Sequence, residues 1–314
     1  MALSTETKSS EKIVNEGAEK WLGVRIPVLD HGYVMLVDYM GNDQTIEKAA
    51  RVSYQAGTRQ VSETRTLLRY LMRNRHTSPF EMNEYVFHMK LPIFVARQVV
   101  RHRTAGLNEE SARYSILADE VYIPDANVLA GQSKSNRQGR DEVFGAEEAE
   151  AVRKLLIAEA GMARKNYEYL LNDDGIGNPV DQSRGMLARE LARLGLTMGQ
   201  YTQWIWKMDL HNLLHFLSLR MDAHAQYETR QYANAVATVV ADAVPITYQA
   251  FVDYELEAIR LTKPDQVVIG SLMASLGVVL TEQQVGDRAK ALGMKNKRER
   301  EELLDKLRRL GLVK

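Results

Sequence analysis

The 314-residue chain contains no cysteine. That absence removes disulfides, thiolate zinc sites and every cysteine nucleophile. The chain also lacks net charge, with 41 Lys and Arg against 41 Asp and Glu. A balanced charge argues against an electrostatic coat for nucleic acid, so local arginine clusters address small anions instead. No apolar run approaches the length of a membrane span, and no basic-then-apolar signal opens the chain. A cytoplasmic protein without membrane or nucleic-acid partners is therefore expected. No internal repeat is present. What remains is a chain 45% apolar and 26% charged, enough for a sizeable core in one large domain or two small ones.

The most informative stretch is 101–114, RHRTAGLNEESARY. It packs three arginines, a histidine, two glutamates, an asparagine and a serine into fourteen residues. Between Thr104 and Ala112 only Ala105, Leu107 and Ala112 are apolar, so it does not read as a core element. Arginine forks suit carboxylate or phosphate, Gly106 and Asn108 permit a turn, and Ser111 adds a small hydroxyl. Two readings are open on composition: an anion-binding loop whose carboxylates hold its arginines, or a surface salt-bridge network.

Around this stretch the chain reads as α+β, a small antiparallel sheet with helices packed round it and a helix-rich C-terminal half. Residues 1–20 are polar and read as a loose terminus. Strands are expected at 34–38, 85–91 and 121–123, and helices at 43–53, capped by Asp43 or Thr45, and at 62–75. His76, Ser78 and Pro79 lie in the loop between. Pro92 opens a helix over 93–102 that carries Gln98 and Arg101 on one face toward the arginine-rich stretch. Residues 125–150 read as an exposed insertion. Further helices are expected at 147–171, 183–196, 202–223 and 224–241. From 267 onward the character changes, and 289–314 reads as an appended helical hairpin.

Two more groups carry chemistry. His211 and His215 stand four apart, a spacing that can bind zinc, but there is no HExxH pattern and His224 is the only further candidate, so no metal is assigned. Arg220 ends a very apolar helix, where a cation suits the helix dipole on structural grounds alone.

Arg101-His102-Arg103, seven residues and then Ser111, with Asn108, Glu109 and Arg113 between and beyond, resembles the signature of the flavin-dependent thymidylate synthases. The HTSPFE segment at 76–81 resembles the family's HxxPFE. Three positions depart: Gly106 stands where the family often has serine, and Asp209 and His211 replace an Asn-x-Arg pattern. The resemblance covers roughly 30–255, which divides the chain into a flexible segment at 1–30, a catalytic domain at 31–255 and a helical extension at 256–314.

The resemblance implies reductive methylation of dUMP to dTMP, with methylenetetrahydrofolate as carbon donor and NADPH as reductant through FAD. It implies dUMP contacts from Gln98, Arg101, Glu109, Glu110, Ser111, Ala112, Arg113, Arg193 and Arg220, with Arg220 also activating the substrate. It implies flavin contacts from His76, Ser78, Arg101, His102, Arg103, Glu109, Asp209, His211 and His215. It further implies a homotetramer whose active sites are shared between subunits. A thymidylate synthase without cysteine cannot attack its pyrimidine with a thiolate, so hydride supply and electrostatics must do that work. Two other readings stand beside it: a flavin- and folate-dependent pyrimidine hydroxymethylase, and a non-catalytic nucleotide- or RNA-binding protein.

Overall fold

In the computed structural model, residues 13–52, 63–134 and 139–313 are described. Residues 1–12 of the expected loose terminus at 1–20, residues 53–62 between the first two long helices, and the tip of the expected insertion at 135–138 lie outside them. The rest of that terminus is not loose: Glu16–Glu19 forms a helix capped by the buried Asn15, with Ala18 fully buried. The chain divides into two compact units, Met1–Phe251 and Val252–Lys314.

The first unit opens with a short helix, α1 (Glu16–Glu19), and a hairpin of β1 (Arg25–Val28) and β2 (Gly32–Met40). Then come α2 (Asp43–Arg51), α3 (Thr64–Arg73), β3 (Glu84–Pro92), α4 (Ile93–Val99) and β4 (Gly106–Glu109). A small hairpin, β5 (Ala130–Gln132) and β6 (Arg140–Val143), precedes the long α5 (Ala146–Leu171) and the short α6 (Arg189–Ala192). The unit closes with β7 (Tyr201–Asp209), α7 (Leu210–Arg220), α8 (Tyr227–Ala243) and α9 (Pro245–Phe251). The main sheet is antiparallel throughout, in the order β1-β2-β3-β7-β4.

The sheet's core face is set by alternation. On β3, Tyr85, Phe87, Met89 and Leu91 are fully buried, while His88 and Lys90 fall on the other, half-exposed face. On β7, Trp204, Trp206 and Met208 point inward and Ile205 and Lys207 outward. A helix expected over 202–223 is therefore half wrong. Its first part is the strand β7, with aromatic residues in period two, and only its second part is helical. The switch falls at Asp209, whose carboxylate accepts from Asn212 N at 2.9 Å and from Asn212 Nδ2 at 2.7 Å and so caps α7.

Other expectations are corrected in the same local terms. The helix expected over 183–196 is only the single turn of α6 followed by a 3-10 turn at Arg193–Gly195. Asp181 captures Ser183 and Arg184, and Asn172, in the left-handed region at φ 49°, donates to the carbonyls of Asp181 and Arg184. Those bonds commit the segment to a loop. The strand expected at 121–123 is one bridge, Val121 to Gln200. The first long helix is capped by Asn42, reciprocally with Thr45, rather than by Asp43 or Thr45. Asp43 is instead buried and accepts from Ile246 N, Thr247 N and Thr247 Oγ1, tying α2 to the start of α9. Burial raises its pKa and those bonds oppose the rise.

One close approach requires glycine. A Cβ on Gly32 would lie 2.0 Å from the Tyr232 hydroxyl, which donates to the Lys90 carbonyl at 2.7 Å and ties α8 to β3.

The second unit contains α10 (Lys263–Ser275), α11 (Glu282–Ala291) and α12 (Lys297–Arg309). Val285, Ala289, Leu312 and Val313 are its buried residues, and a bridge pairs Leu280 with Val313. No helix among the described residues is long and apolar enough to cross a membrane.

Candidate active site

An aromatic ladder leads from the core to the first group of polar residues. Phe87 meets Trp206 at 6.4 Å between ring centres, Trp206 meets Phe216 at 5.1 Å, and Phe216 meets His102 edge-on at 4.9 Å. His102 follows the last turn of α4. Its Nε2 accepts from Arg220 Nε at 3.1 Å, and His215 lies 6.4 Å away. Burial first, then the charge of Arg220 and then His215, push the His102 imidazole down to a pKa of about 4. It is therefore neutral near pH 7, as an acceptor from a guanidinium must be.

Arg220 is held on a second side as well. Its Nη2 donates to the Gln98 carbonyl at 3.4 Å, and burial lowers its pKa without threatening its charge. Gln98, His102, His215 and Arg220 thus form one cluster at the junction of α4, α7 and the start of α8. The spacing of Gln98 and Arg101 on one helix anticipates half of it. The pairing of His102 with Arg220, 118 residues later, is visible only in the fold.

A second group lies on the exposed arm that follows α4. Segment 101–114 is not simply a loop, because Gly106–Glu109 forms β4 at the edge of the sheet beside β7. Glu109 accepts from Thr202 Oγ1 at 2.9 Å, and the Glu110 amide donates to the Gln203 carbonyl. Ala112 is buried. Ser111 Oγ accepts from the Arg113 amide at 3.3 Å, and no general base faces it among the described residues. Arg113 pairs with Glu190 at 3.1 Å, and Arg193 Nε donates to the Glu190 carbonyl at 3.3 Å. Arg189 fixes this meeting point by donating to the Tyr114 carbonyl at 2.6 Å and pairing with Asp173 at 2.8 Å. Ser111, Arg113 and Arg193 are therefore neighbours through Glu190 and Arg189, two residues that motif reasoning passed over. Their place beside Arg193 in ARELAR was the available signal.

The remaining residues are scattered. His76 packs edge-on against Tyr70 at 5.6 Å, and the Ser78 carbonyl accepts from the Glu81 amide at 3.2 Å. Asp209 caps α7, which accounts for its carboxylate without any ligand. His211 and His215 stand one turn apart, and among the described residues no group of three or more metal-ligating side chains is gathered. Arg101 and Arg103 are exposed and make no side-chain hydrogen bond or ion pair among the described residues. No hydrogen bond or ion pair among them joins the His102–Arg220 cluster to the Arg113–Arg193 group either.

Similarity to known proteins runs through most of the chain. Positions 35–246 match the family described as thymidylate synthase complementing protein. The flavin-dependent thymidylate synthase of Ruegeria pomeroyi is 49% identical over 286 residues, covering 91% of each chain. That of Gluconobacter oxydans is 49% identical over 268 residues, covering 85% of each. Among solved structures, a UMP/dUMP methylase from Streptomyces cacaoi bound with 5-Br UMP is similar. It has a TM-score of 0.63 and 34% identity over 74% of this chain and 99% of that one.

Proposed function

This chain belongs to the flavin-dependent thymidylate synthase family, and from that premise we propose how its residues divide the work of methylating dUMP. The overall reaction transfers the one-carbon unit of methylenetetrahydrofolate to the uracil ring carbon and replaces the proton lost there. NADPH and a proton supply the reduction, leaving dTMP, tetrahydrofolate and NADP. FAD, when bound, supplies the hydride chemistry.

The donor set fits such a dinucleotide. Arg101 and Arg103 offer two exposed guanidinium forks without a partner among the described residues, the chemistry a pyrophosphate needs. Glu109, His76, Ser78, His211 and His215 complete the flavin side, with Asp209 acting through the cap it makes on α7. Ser111, Arg113 and Arg193 bind the nucleotide phosphate, with Glu110 and Ala112 setting the backbone of that turn. Arg220 and Gln98 meet the pyrimidine. Arg220 stabilises negative charge developing on the ring nitrogen and carbonyl oxygens, and His102 holds the guanidinium without competing for a proton.

The single observation that carries this reading is the pairing of a half-buried, always-charged Arg220 with a neutral His102 beside Gln98. Family membership is the ground for reading the enzyme as a homotetramer whose active sites are shared between subunits. Residues 31–255 form the catalytic domain, 256–314 are an extension outside the chemistry, and the enzyme works in the cytoplasm.

The test is direct. Freshly purified protein is expected to show flavin absorbance and to convert dUMP to dTMP, identified by mass, only with both methylenetetrahydrofolate and NADPH. A colourless protein that gains no flavin on adding FAD, or a hydroxymethyl product, would sink it. The UMP/dUMP methylase neighbour favours a second reading, in which UMP is also methylated. A competition assay between UMP and dUMP separates the two.

A further inference from the structure

Glu228 lies in the first turn of α8 and is 1% exposed. A carboxylate so deeply buried must be surrounded by donors. Tyr122 donates to its Oε1 at 3.1 Å, and Arg140, reaching in from β6, pairs with the same oxygen. Burial and the neighbouring Glu228 raise the Tyr122 pKa far above that of a free phenol, so Tyr122 stays a donor. The other oxygen, Oε2, accepts from Gln226 Nε2 at 2.9 Å.

This last bond has a consequence for Gln98. An amide has a donor end and an acceptor end, and a carboxylate only accepts. Gln226 must therefore turn its Nε2 to Glu228 and its Oε1 away. That Oε1 accepts from Gln98 Nε2, so the orientation of the second amide follows from the first. Gln98 Oε1 is then left to accept from the fully buried Thr229 hydroxyl at 3.1 Å. One N–H and one oxygen lone pair of Gln98 remain uncommitted.

We propose that Glu228 and Gln226 are positioning residues: the buried carboxylate, acting through Gln226, fixes which end of the Gln98 amide the nucleotide meets. The inference rests on the reading of Gln98 as a nucleotide contact. Without the relay Gln98 could rotate its amide by half a turn, and bound nucleotide would have to select one of two orientations before gaining its hydrogen bond.

The experiment uses full-length flavoprotein and reads dUMP dissociation constants by titration, with kcat and KM beside them. Gln226→Met removes the relay at an exposed site; it also takes a donor from the buried Glu228 Oε2, so its melting temperature should fall, and binding is read well below that temperature. It is expected to weaken dUMP binding ~3- to 10-fold, the scale of one net hydrogen bond, while kcat at saturating dUMP is kept. Glu228→Gln, where it folds, should weaken dUMP binding to the same extent. The deciding measurement is the double variant Gln98→Ala with Gln226→Met, which should bind dUMP no worse than Gln98→Ala alone. Fully additive losses, or a Gln226→Met protein with unchanged dUMP affinity, would overturn the relay while leaving Gln98 as a contact. A Gln98→Ala protein that binds dUMP normally would instead overturn the reading of Gln98 itself.

Discussion

Arg220 and Arg113 are both expected at the nucleotide, yet their circumstances are opposite. Arg220 is half-buried at the end of α7, with its Nε bonded to His102 and its Nη2 to a backbone carbonyl. Arg113 is exposed on the arm beyond β4, and its one ion pair is to Glu190, itself exposed. A guanidinium bonded on two sides keeps its place before any ligand arrives and acts as a fixed charge. An exposed one takes its place largely from what it binds. The first suits transition-state stabilisation, which depends on preorganisation. The second suits anchoring, where most of the gain is affinity.

The largest effect should follow from removing the preorganised charge. Arg220→Ala is expected to keep its flavin and still bleach with NADPH under anaerobic conditions. Single-turnover dTMP formation from pre-reduced enzyme should fall ~100- to 1,000-fold at saturating dUMP. Near-normal rates at saturation would erase the contrast, making Arg220 a binding residue like any other.

Arg113→Ala should behave differently. Loss of a charge-assisted hydrogen bond to phosphate should raise the KM for dUMP about 10- to 100-fold while kcat changes little. Glu190 competes for the same guanidinium, so Glu190→Gln should lower that KM or leave it unchanged. If Arg113→Ala loses kcat in proportion and keeps KM, the exposed arm takes part in the chemistry and the contrast is wrong.

A smaller effect probes the wired cluster without any ligand. His102 titrates near 4 in the folded protein against an ordinary value of 6.5, so its folded pKa is depressed. Below about pH 6.5 the unfolded chain takes up a proton that the folded chain refuses. Its contribution is therefore intact above that pH and is lost as the pH falls toward 4. The titratable groups facing the ring are Arg220 and His215. In urea melts at pH 7, 5.5 and 4.5, His102→Gln should lose less stability on acidification than the parent. Parallel pH profiles would mean that solvent reaches His102 and that the cluster is not preformed.

How far the sequence reveals this site follows from the same contrast. The exposed arm is legible because its chemistry is local: 101–114 spells out arginines, glutamates and a serine that no core position would hold. The sheet is less so. Trp204, Ile205 and Trp206 fit a strand by residue type, but the leucines from Leu210 onward pull the reading toward one continuous helix. The boundary depends on the Asp209 cap and on pairing with β3, a partner more than a hundred residues away in sequence. The relay through Glu228 is the least legible. A glutamate in the first turn of a helix reads as a surface residue suited to the dipole, and only Tyr122 and Arg140, from two distant segments, show that it is buried. Contacts between segments, rather than residue types, carry that information.

The smallest effect is expected from the second compact unit. Within it, Leu280 bridges Val313, and Tyr254 donates to Glu299 at 2.6 Å. The family model ends at residue 246, but the Ruegeria pomeroyi relative matches over 286 residues, more than the 251 of the first unit, so similarity runs past the expected limit near 255 into this unit. Both arginine groups compared above lie within Met1–Phe251. Truncation after Arg260 removes α10, α11 and α12 while leaving every residue assigned to nucleotide or flavin in place. The truncated protein should therefore bind FAD with the parent's absorbance and form dTMP at a similar kcat and KM. Because α10 exposes Val268 and Leu272 one turn apart, truncation is also expected to improve solubility. Normal FAD binding with no dTMP formed would place part of the active site in the extension. The contrast between a preformed cluster and an exposed arm would then lack a third participant.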